Sequence, residues 1–416
     1  MLSLRTLFTL ASRFGIALLN FGVVLLTARA LGAAGRGQVS LLLTDVALLL
    51  LFIGLLGGSS LMYLAPRRNV WRLLVPAVAW AVAVCGAGAA VVAVARPGAL
   101  GGYAAHVGAL GLLQALFSIC ASLLLGRRRE HLFNLLNLLQ AALLAAGLLT
   151  AFYGFGHRTL SAFYAASYLA TGLPLVVAAV ALARQPDPRP LTRRALRRTT
   201  LELARHSRGA HLSSILAFLN YRLGYYFLAA WAGPSAVGVL SVGTALAEAI
   251  WLLGRSTAQT EYVALINAPD RAARRAPIVR AARTTSLLTA AGLGVLLLVP
   301  PDVLTAVFGR DFGAARPVIA WLAPGVWALG STMVLGAWFT GQGRYAPNNR
   351  ATAAGLVVAL PLFALLIPRW GAVGAAAATS AAYLTVAGIL LWYFAASETA
   401  ATQPGASSPA SKAHNK

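Results

Sequence analysis

The chain has 416 residues, of which 59% are hydrophobic and 11% charged. A soluble domain of this size carries about 25% charge, and apolar stretches of about 20 residues, enough to cross a ~30 Å hydrocarbon core, recur throughout. The composition therefore excludes a water-soluble globular protein and indicates an all-α polytopic membrane protein whose backbone pairs within helices. The formal net charge is +24, but no lysine precedes Lys412. That excludes a Walker-type phosphate loop, which needs its lysine, and a Schiff-base lysine within the membrane.

The first residues, Met1–Gly15, carry one early arginine and then apolar side chains, as a signal peptide does. They lack a clean small-x-small cleavage site and run into the first span, so they read as retained. Six spans are expected at 7–29, 39–65, 71–95, 101–126, 131–154 and 159–183. Six more are expected at 207–231, 236–266, 283–300, 317–341, 350–368 and 371–396. This gives two six-helix lobes, 1–183 and 207–396, joined by a basic cytoplasmic linker at 184–206. The linker begins with prolines and becomes amphipathic, which suits an interfacial connector held at anionic lipid headgroups by its arginines. The Ala/Ser/Pro-rich end, 397–416, is expected to be a disordered cytoplasmic tail. Cys85 and Cys120 fall inside spans, as small packing residues rather than a disulfide or a metal site.

Loop charge sets the orientation. With both termini in the cytoplasm, 24 cationic side chains fall on the cytoplasmic side and seven, Arg29, Arg36 and Arg96 among them, on the other. The net charge is thus read as topology, and no nucleic-acid partner is expected.

The halves also repeat. Leu19-Asn20 matches Leu219-Asn220, and after a one-residue slip Gly32, Gly37 and Ser40 match Gly233, Gly238 and Ser241. Gly126-Arg127-Arg128-Arg129 and Asn134 match Gly341-Gln342-Gly343-Arg344 and Asn349 at a constant offset. Each half opens on a helical hairpin, with a tight turn expected at Leu31–Gly37 in the first. A parallel repeat of this kind places a substrate site between the lobes near mid-membrane.

Ionisable residues within spans are costly and usually face a bundle interior or a wet cavity. Five stand out: Arg13, Asp45, Arg222, Glu248 and Arg255. Arg13, Asn20 and Thr27 share one helical face, and Ser241, Glu248, Arg255 and Gln259 form a second stripe. Arg13 is also close enough to the helix end to snorkel. Arg222 and Glu248 read as functional groups or as a structural pair, and Asp45 as a coupling carboxylate or a local hydrogen-bonding group. Asn20 and Asn220 read as ligand contacts or as interhelical glue. Three arginines against two carboxylates favour an anion, because guanidinium forks fit phosphate oxygens. The substrate-binding candidates are Arg13, Asn20, Asn220, Arg222, Arg255 and Gln259, and the charge-pair candidates Asp45 and Glu248. No cofactor or metal site is expected.

Several stretches are familiar in order and spacing. Ala28-Arg29-Ala30-Leu31-Gly32 with Gly35-Arg36-Gly37, Leu219-Asn220-Tyr221-Arg222, and Gly233-Pro234 are the first. Phe308-Gly309-Arg310-Asp311-Phe312, Gly341-Gln342-Gly343-Arg344 and Gly371–Ala376 continue the set. Across 1–396 the chain resembles the Wzx-type polysaccharide flippases of the multidrug/oligosaccharidyl-lipid/polysaccharide (MOP) exporter superfamily. The resemblance implies a V-shaped twelve-helix fold with a cationic lumen. It also implies translocation of an undecaprenyl-pyrophosphate-linked glycan across a bacterial cytoplasmic membrane, with a proton or sodium gradient as the candidate driving force. Glycosyltransferases and a polymerase of the same pathway are the implied partners, besides membrane lipids. One departure is that Gly224 stands where such proteins often carry an acidic residue. The alternatives are a multidrug/cation antiporter of the same superfamily, which calls for an acidic lumen, and a membrane polymerase or glycosyltransferase. The large outer loop or paired surface acids those enzymes need are missing from the sequence.

Overall fold

The computed structural model describes residues 4–96, 102–185, 192–266 and 275–402, nearly all of them helical. Helix α1 runs from Leu4 to Gly57 and a short α2 from Ser59 to Leu64. Then come α3 (Val70–Ala95), α4 (Tyr103–Gly126), α5 (Glu130–Leu149) and α6 (Leu160–Ala183). The second half has α7 (Arg193–Ile266), α8 (Arg275–Leu298), a short α9 (Pro301–Phe308), α10 (Ala315–Gly341) and α11 (Tyr345–Thr402). Residues 193–206 are thus helix continuous with the following span, and helix extends to Thr402 in the segment read as a tail. The remainder of that tail lies outside the described residues.

Among the described residues, nine helices are long and apolar enough to cross a membrane. Nine stand where twelve spans were expected because three turns are single glycines inside one helical run. These are Gly32 in α1 (φ 67°), Gly233 in α7 (φ 77°) and Gly371 in α11 (φ 53°). A side chain at positive φ is sterically penalised, so glycine is the residue that allows the reversal. The chain doubles back at each. Residues either side of Gly32 line one cavity, as do residues either side of Gly233, and Gly374 packs against the Leu366 carbonyl across the third turn. The first turn is therefore one residue long, and Gly35, Arg36 and Gly37 lie in helix, not in a loop.

The repeat seen in sequence has the same geometry in both copies. Gly32 and Gly233 share almost the same backbone conformation. At the other end, Arg128 (φ 61°) and Gly343 (φ 71°) occupy equivalent left-handed positions after α4 and α10. Arg129 N–H donates to the Leu124 carbonyl at 2.9 Å, and Arg344 N–H to the Phe339 carbonyl at 3.0 Å. This six-to-one bond closes orphan carbonyls at a helix end. Asn134 holds Thr9 at 3.1 Å, and its counterpart Asn349 accepts from Ser213 at 2.6 Å. Because Arg128 carries a Cβ where its repeat partner is glycine, Arg128→Gly is expected to stabilise the protein by roughly 1 kcal/mol. Thermal unfolding in detergent would check this as a raised midpoint.

Buried side chains form two large clusters. One gathers Phe117, Phe152 and Phe163 with residues of α1 and α3–α6. The other gathers Phe312, Phe339, Phe363 and Tyr383 with α7 and α8–α11. Ala28, Ala33 and Leu41 of α1 belong to the second cluster, so the tip of the first hairpin is packed into the opposite half. Free Cys85 and Cys120 are both buried, consistent with a packing role.

The two hairpin tips meet reciprocally. A Cβ built on Gly37 would lie 1.8 Å from the Pro234 carbonyl oxygen, and one on Gly238 would lie 2.0 Å from that of Ala33. Only glycine lets these backbones touch. The same end is fastened twice more. Asp311 Oδ2 accepts from Ala33 N–H at 3.0 Å, capping the helix that restarts after Gly32. Arg29 donates to the Ala306 carbonyl at 3.2 Å at the end of α9, a favourable site for a cation. The halves are thus sealed together at the hairpin end.

Candidate functional site

Directly behind that seal, between α1 and α7, is a cavity of about 440 Å³. From α1 it takes Asn20, Phe21, Arg36, Ser40 and Thr44; from α7 it takes Arg222, Tyr225, Ser241, Glu248 and Trp251. Both hairpins contribute because each presents its two arms to the same space.

Arg222 points into this cavity. Its Nη2 is 3.5 Å from Glu248 Oε2, and its Nη1 donates to Tyr225 Oη at 3.1 Å. Arg36 is the second guanidinium there, 5% exposed. Its Nε donates to Ser241 Oγ at 3.2 Å across the interface, and its Nη1 to Thr27 Oγ1 at 3.0 Å. Two guanidinium groups against one carboxylate leave the lining with one positive charge in excess. Burial in a low-dielectric setting makes such an excess a strong attractor for an anion.

The candidates divide among several places. Arg222, Glu248 and Asn20 line the cavity, Asn20 at an exposed position. Arg13, two turns before Asn20, is exposed and does not line this cavity. Asn220 does not reach the cavity. It is buried, and its Nδ2 donates to the Thr352 carbonyl of α11 at 3.1 Å. Residues two apart on a helix point to opposite faces, so Arg222 facing the cavity puts Asn220 on the packing side. The side chains of Arg255 and Gln259 lie outside the described residues.

Arg36 was missed as a site residue because the run Gly35-Arg36-Gly37 reads as a loop. A usable signal exists: Ser40 and Thr44 follow Arg36 at intervals of four, one polar face of a helix. Gly224 is explained by packing. A Cβ there would meet the Phe363 ring at 3.1 Å. An acidic side chain at this position would press on a buried phenyl group rather than face the cavity.

Asp45 belongs to a separate cluster. It is buried and accepts from Tyr103 Oη at 2.6 Å, from Tyr226 Oη at 2.8 Å and from Arg96 Nη1 at 3.2 Å. Arg96, assigned from sequence to an outer loop, is therefore the counter-ion of an in-span carboxylate. Tyr226 comes from α7, so the cluster also bridges the halves. Asp45→Asn would leave Arg96 without its carboxylate in a half-buried setting. The expected cost is about 2 kcal/mol, below the 3–5 kcal/mol of a fully buried pair because Arg96 retains some solvent. A lowered unfolding midpoint in detergent, larger than that of Tyr226→Phe, would check it.

No protein-family model and no curated protein matches the chain. Solved structures do. The lipid II flippase MurJ, in an inward closed conformation, matches at a TM-score of 0.72 and 13% identity, over 94% of this chain and 87% of that one. An inward-facing MATE-family multidrug resistance transporter of the MOP superfamily matches at 0.68 and 16%, over 97% of both chains. A MOP superfamily transporter from Pyrococcus furiosus, described by a binding pocket of reverse polarity, matches at 0.57 and 14%, over 96% and 95%. At these identities the likeness is one of fold. The described residues are almost wholly helical, nine of their helices are long and apolar enough to cross a membrane, and the chain has the fold of MOP-superfamily transporters; the similar structures are those of a flippase and transporters.

Proposed function

We propose that the chain is a flippase of this superfamily that moves an undecaprenyl-pyrophosphate-linked glycan across a bacterial cytoplasmic membrane by alternating access. The observation that carries the reading is the sign of the cavity: Arg36 and Arg222 face one carboxylate, Glu248. Guanidinium groups offer bidentate donors to phosphate oxygens. A cationic drug entering the same space would meet net repulsion, which weighs against the multidrug-antiporter alternative.

With both termini in the cytoplasm, the sealed hairpin end faces outward and the cavity loads from inside. The pyrophosphate competes with Glu248 for Arg222. Once displaced, the Glu248 carboxylate is free to take a proton or sodium ion, which offers a route for coupling. Asp45 already has three partners and is assigned a structural part. The polyprenyl tail stays in lipid, so its burial changes little during transfer. The pathway's glycosyltransferases would supply the substrate on one face and a polymerase would consume it on the other.

The test is reconstitution in liposomes carrying a fluorescent polyprenyl-pyrophosphate oligosaccharide in one leaflet. Movement of the label to the other leaflet, with no efflux of cationic dyes, is the expected result. Dye efflux without glycan movement would overturn the reading in favour of the antiporter.

A further inference from the structure

Beside the cationic cavity, and sharing Asn20 and Leu43 with it, lies a second cavity of about 250 Å³ inside the N-terminal half. Its lining contains no ionisable side chain. It contains instead a chain of amides. Gln140 Nε2 donates to Gln114 Oε1 at 2.6 Å and to Thr171 Oγ1 at 3.1 Å. Those bonds fix both side chains and use one end of each amide. Thr171 Oγ1 also donates to Gln114 Oε1 at 3.5 Å; Gln114 Nε2 and Gln140 Oε1 have no further hydrogen bond among the described residues, which leaves one NH2 group as donor and one carbonyl oxygen as acceptor for a ligand. Asn137 Nδ2 is spent on the Phe133 carbonyl at 2.8 Å, leaving its oxygen as a second acceptor. Asn20 and Ser167 add two more polar groups, Ser167 already donating to the Phe163 carbonyl at 2.8 Å, and the rest of the wall is apolar, with Phe163 the largest group.

This chemistry narrows the occupant. A charged group would find no counter-charge. A wholly apolar one would leave the amide ends unpaired, at the cost of buried polar groups without partners. A sugar ring satisfies both requirements, with hydroxyl or acetamido groups for the amides and a C–H face for the apolar wall. At about 250 Å³ the cavity lies below the ~300 Å³ at which drug-sized sites begin, a size that suits a single ring.

We infer that the amide-lined cavity of Gln114, Asn137 and Gln140 is the subsite for the first sugar of the lipid-linked glycan, adjoining the pyrophosphate held by Arg36 and Arg222. The inference rests on the flippase reading above. In that arrangement the cationic cavity reads the part common to all such lipids, and the neutral one reads the sugar.

The test measures binding to the purified full chain in detergent, with three probes: bare polyprenyl pyrophosphate, the same lipid carrying one N-acetylated hexose, and a cationic drug. Wild type is expected to bind the sugar-bearing lipid more tightly than the bare one. Gln140→Leu should erase that gain, a loss of about five- to tenfold, the scale of one or two neutral hydrogen bonds, while the bare lipid binds as before. Because Gln140→Leu also breaks the amide chain, Ala170→Leu serves as a second variant. It adds bulk at the cavity wall without removing any hydrogen-bonding group and should erase the same gain. Arg222→Ala should weaken both lipids alike. Equal binding of the two lipids by wild type, or a sugar gain that survives Ala170→Leu, overturns the subsite and leaves the flippase reading standing. Binding of the drug and of neither lipid overturns both.

Discussion

Arg222→Ala is expected to abolish glycan flipping while leaving a folded protein in the membrane. The residue is held between Glu248 at 3.5 Å and Tyr225 at 3.1 Å, with its guanidinium facing the inter-half cavity. A charge-assisted hydrogen bond contributes about 1.5–3 kcal/mol, so losing even one to a pyrophosphate lowers affinity roughly ten- to a hundredfold. The substitution also strips Glu248 of its partner, which by itself could disable the site. The double variant Arg222→Ala/Glu248→Ala separates these causes. The readout is binding of polyprenyl pyrophosphate to the purified protein, because transport also depends on Glu248 in the coupling role given above. If Arg222 served only to neutralise Glu248, removing both would restore binding, because the uncompensated charge would be gone. If Arg222 holds phosphate, the double variant stays weak in binding although its stability recovers. Binding by the double variant near the wild-type affinity would remove Arg222 from the substrate site and leave it a structural ion pair.

Much of the architecture was legible because it depends on local chemistry. Span lengths follow from hydropathy, and α3, α4 and α6 lie within two residues of the expected bounds. The glycine repeat was legible because a one-residue reversal requires positive φ, and few residues other than glycine supply it. Arg222 and Glu248 were legible as mid-span charges on successive arms of one hairpin. What failed depended on distant backbone. The turn was expected to span Leu31–Gly37, since a glycine-rich run reads as a loop. Gly37 is instead glycine because Pro234, far along the chain, lies against it. Arg36 was lost with that misreading. Arg96 was counted as loop charge because nothing local signals that it reaches back to Asp45 on α1. Asn220 takes the second of its two readings, interhelical glue, through its bond to the Thr352 carbonyl of α11. Its spacing from Arg222 already forbids a shared face, so helix periodicity alone separates the two.

The reciprocal glycine contact leads to the second large expected effect. Gly37→Ala places a Cβ 1.8 Å from the Pro234 carbonyl oxygen, closer than any real Cβ contact. Backbone must move, because the obstructing atom is not the end of a flexible side chain. Overpacking of this kind costs about 1–3 kcal/mol, and the penalty falls only on the state in which the tips touch. A conformation with the hairpin end open does not bear it. The variant should therefore shift the population toward that conformation by roughly five- to a hundredfold, as any purely differential free energy does. The shift can be read with a single cysteine at Ser40, which is 4% exposed and lines the cavity, after Cys85 and Cys120 are replaced by alanine. A membrane-impermeant thiol reagent applied from the hairpin side should label Ser40→Cys poorly in the otherwise unaltered protein and readily in the Gly37→Ala background. Gly238→Ala should act the same way, since its Cβ meets the Ala33 carbonyl oxygen at 2.0 Å. Gly22→Ala is the control, with nothing within 4 Å of the added carbon, and should leave labelling unchanged. Transport should fall in both tip variants, because a carrier held open on one side cannot complete its cycle. Unchanged labelling together with full transport in Gly37→Ala would mean that the hairpin tips do not form a gate.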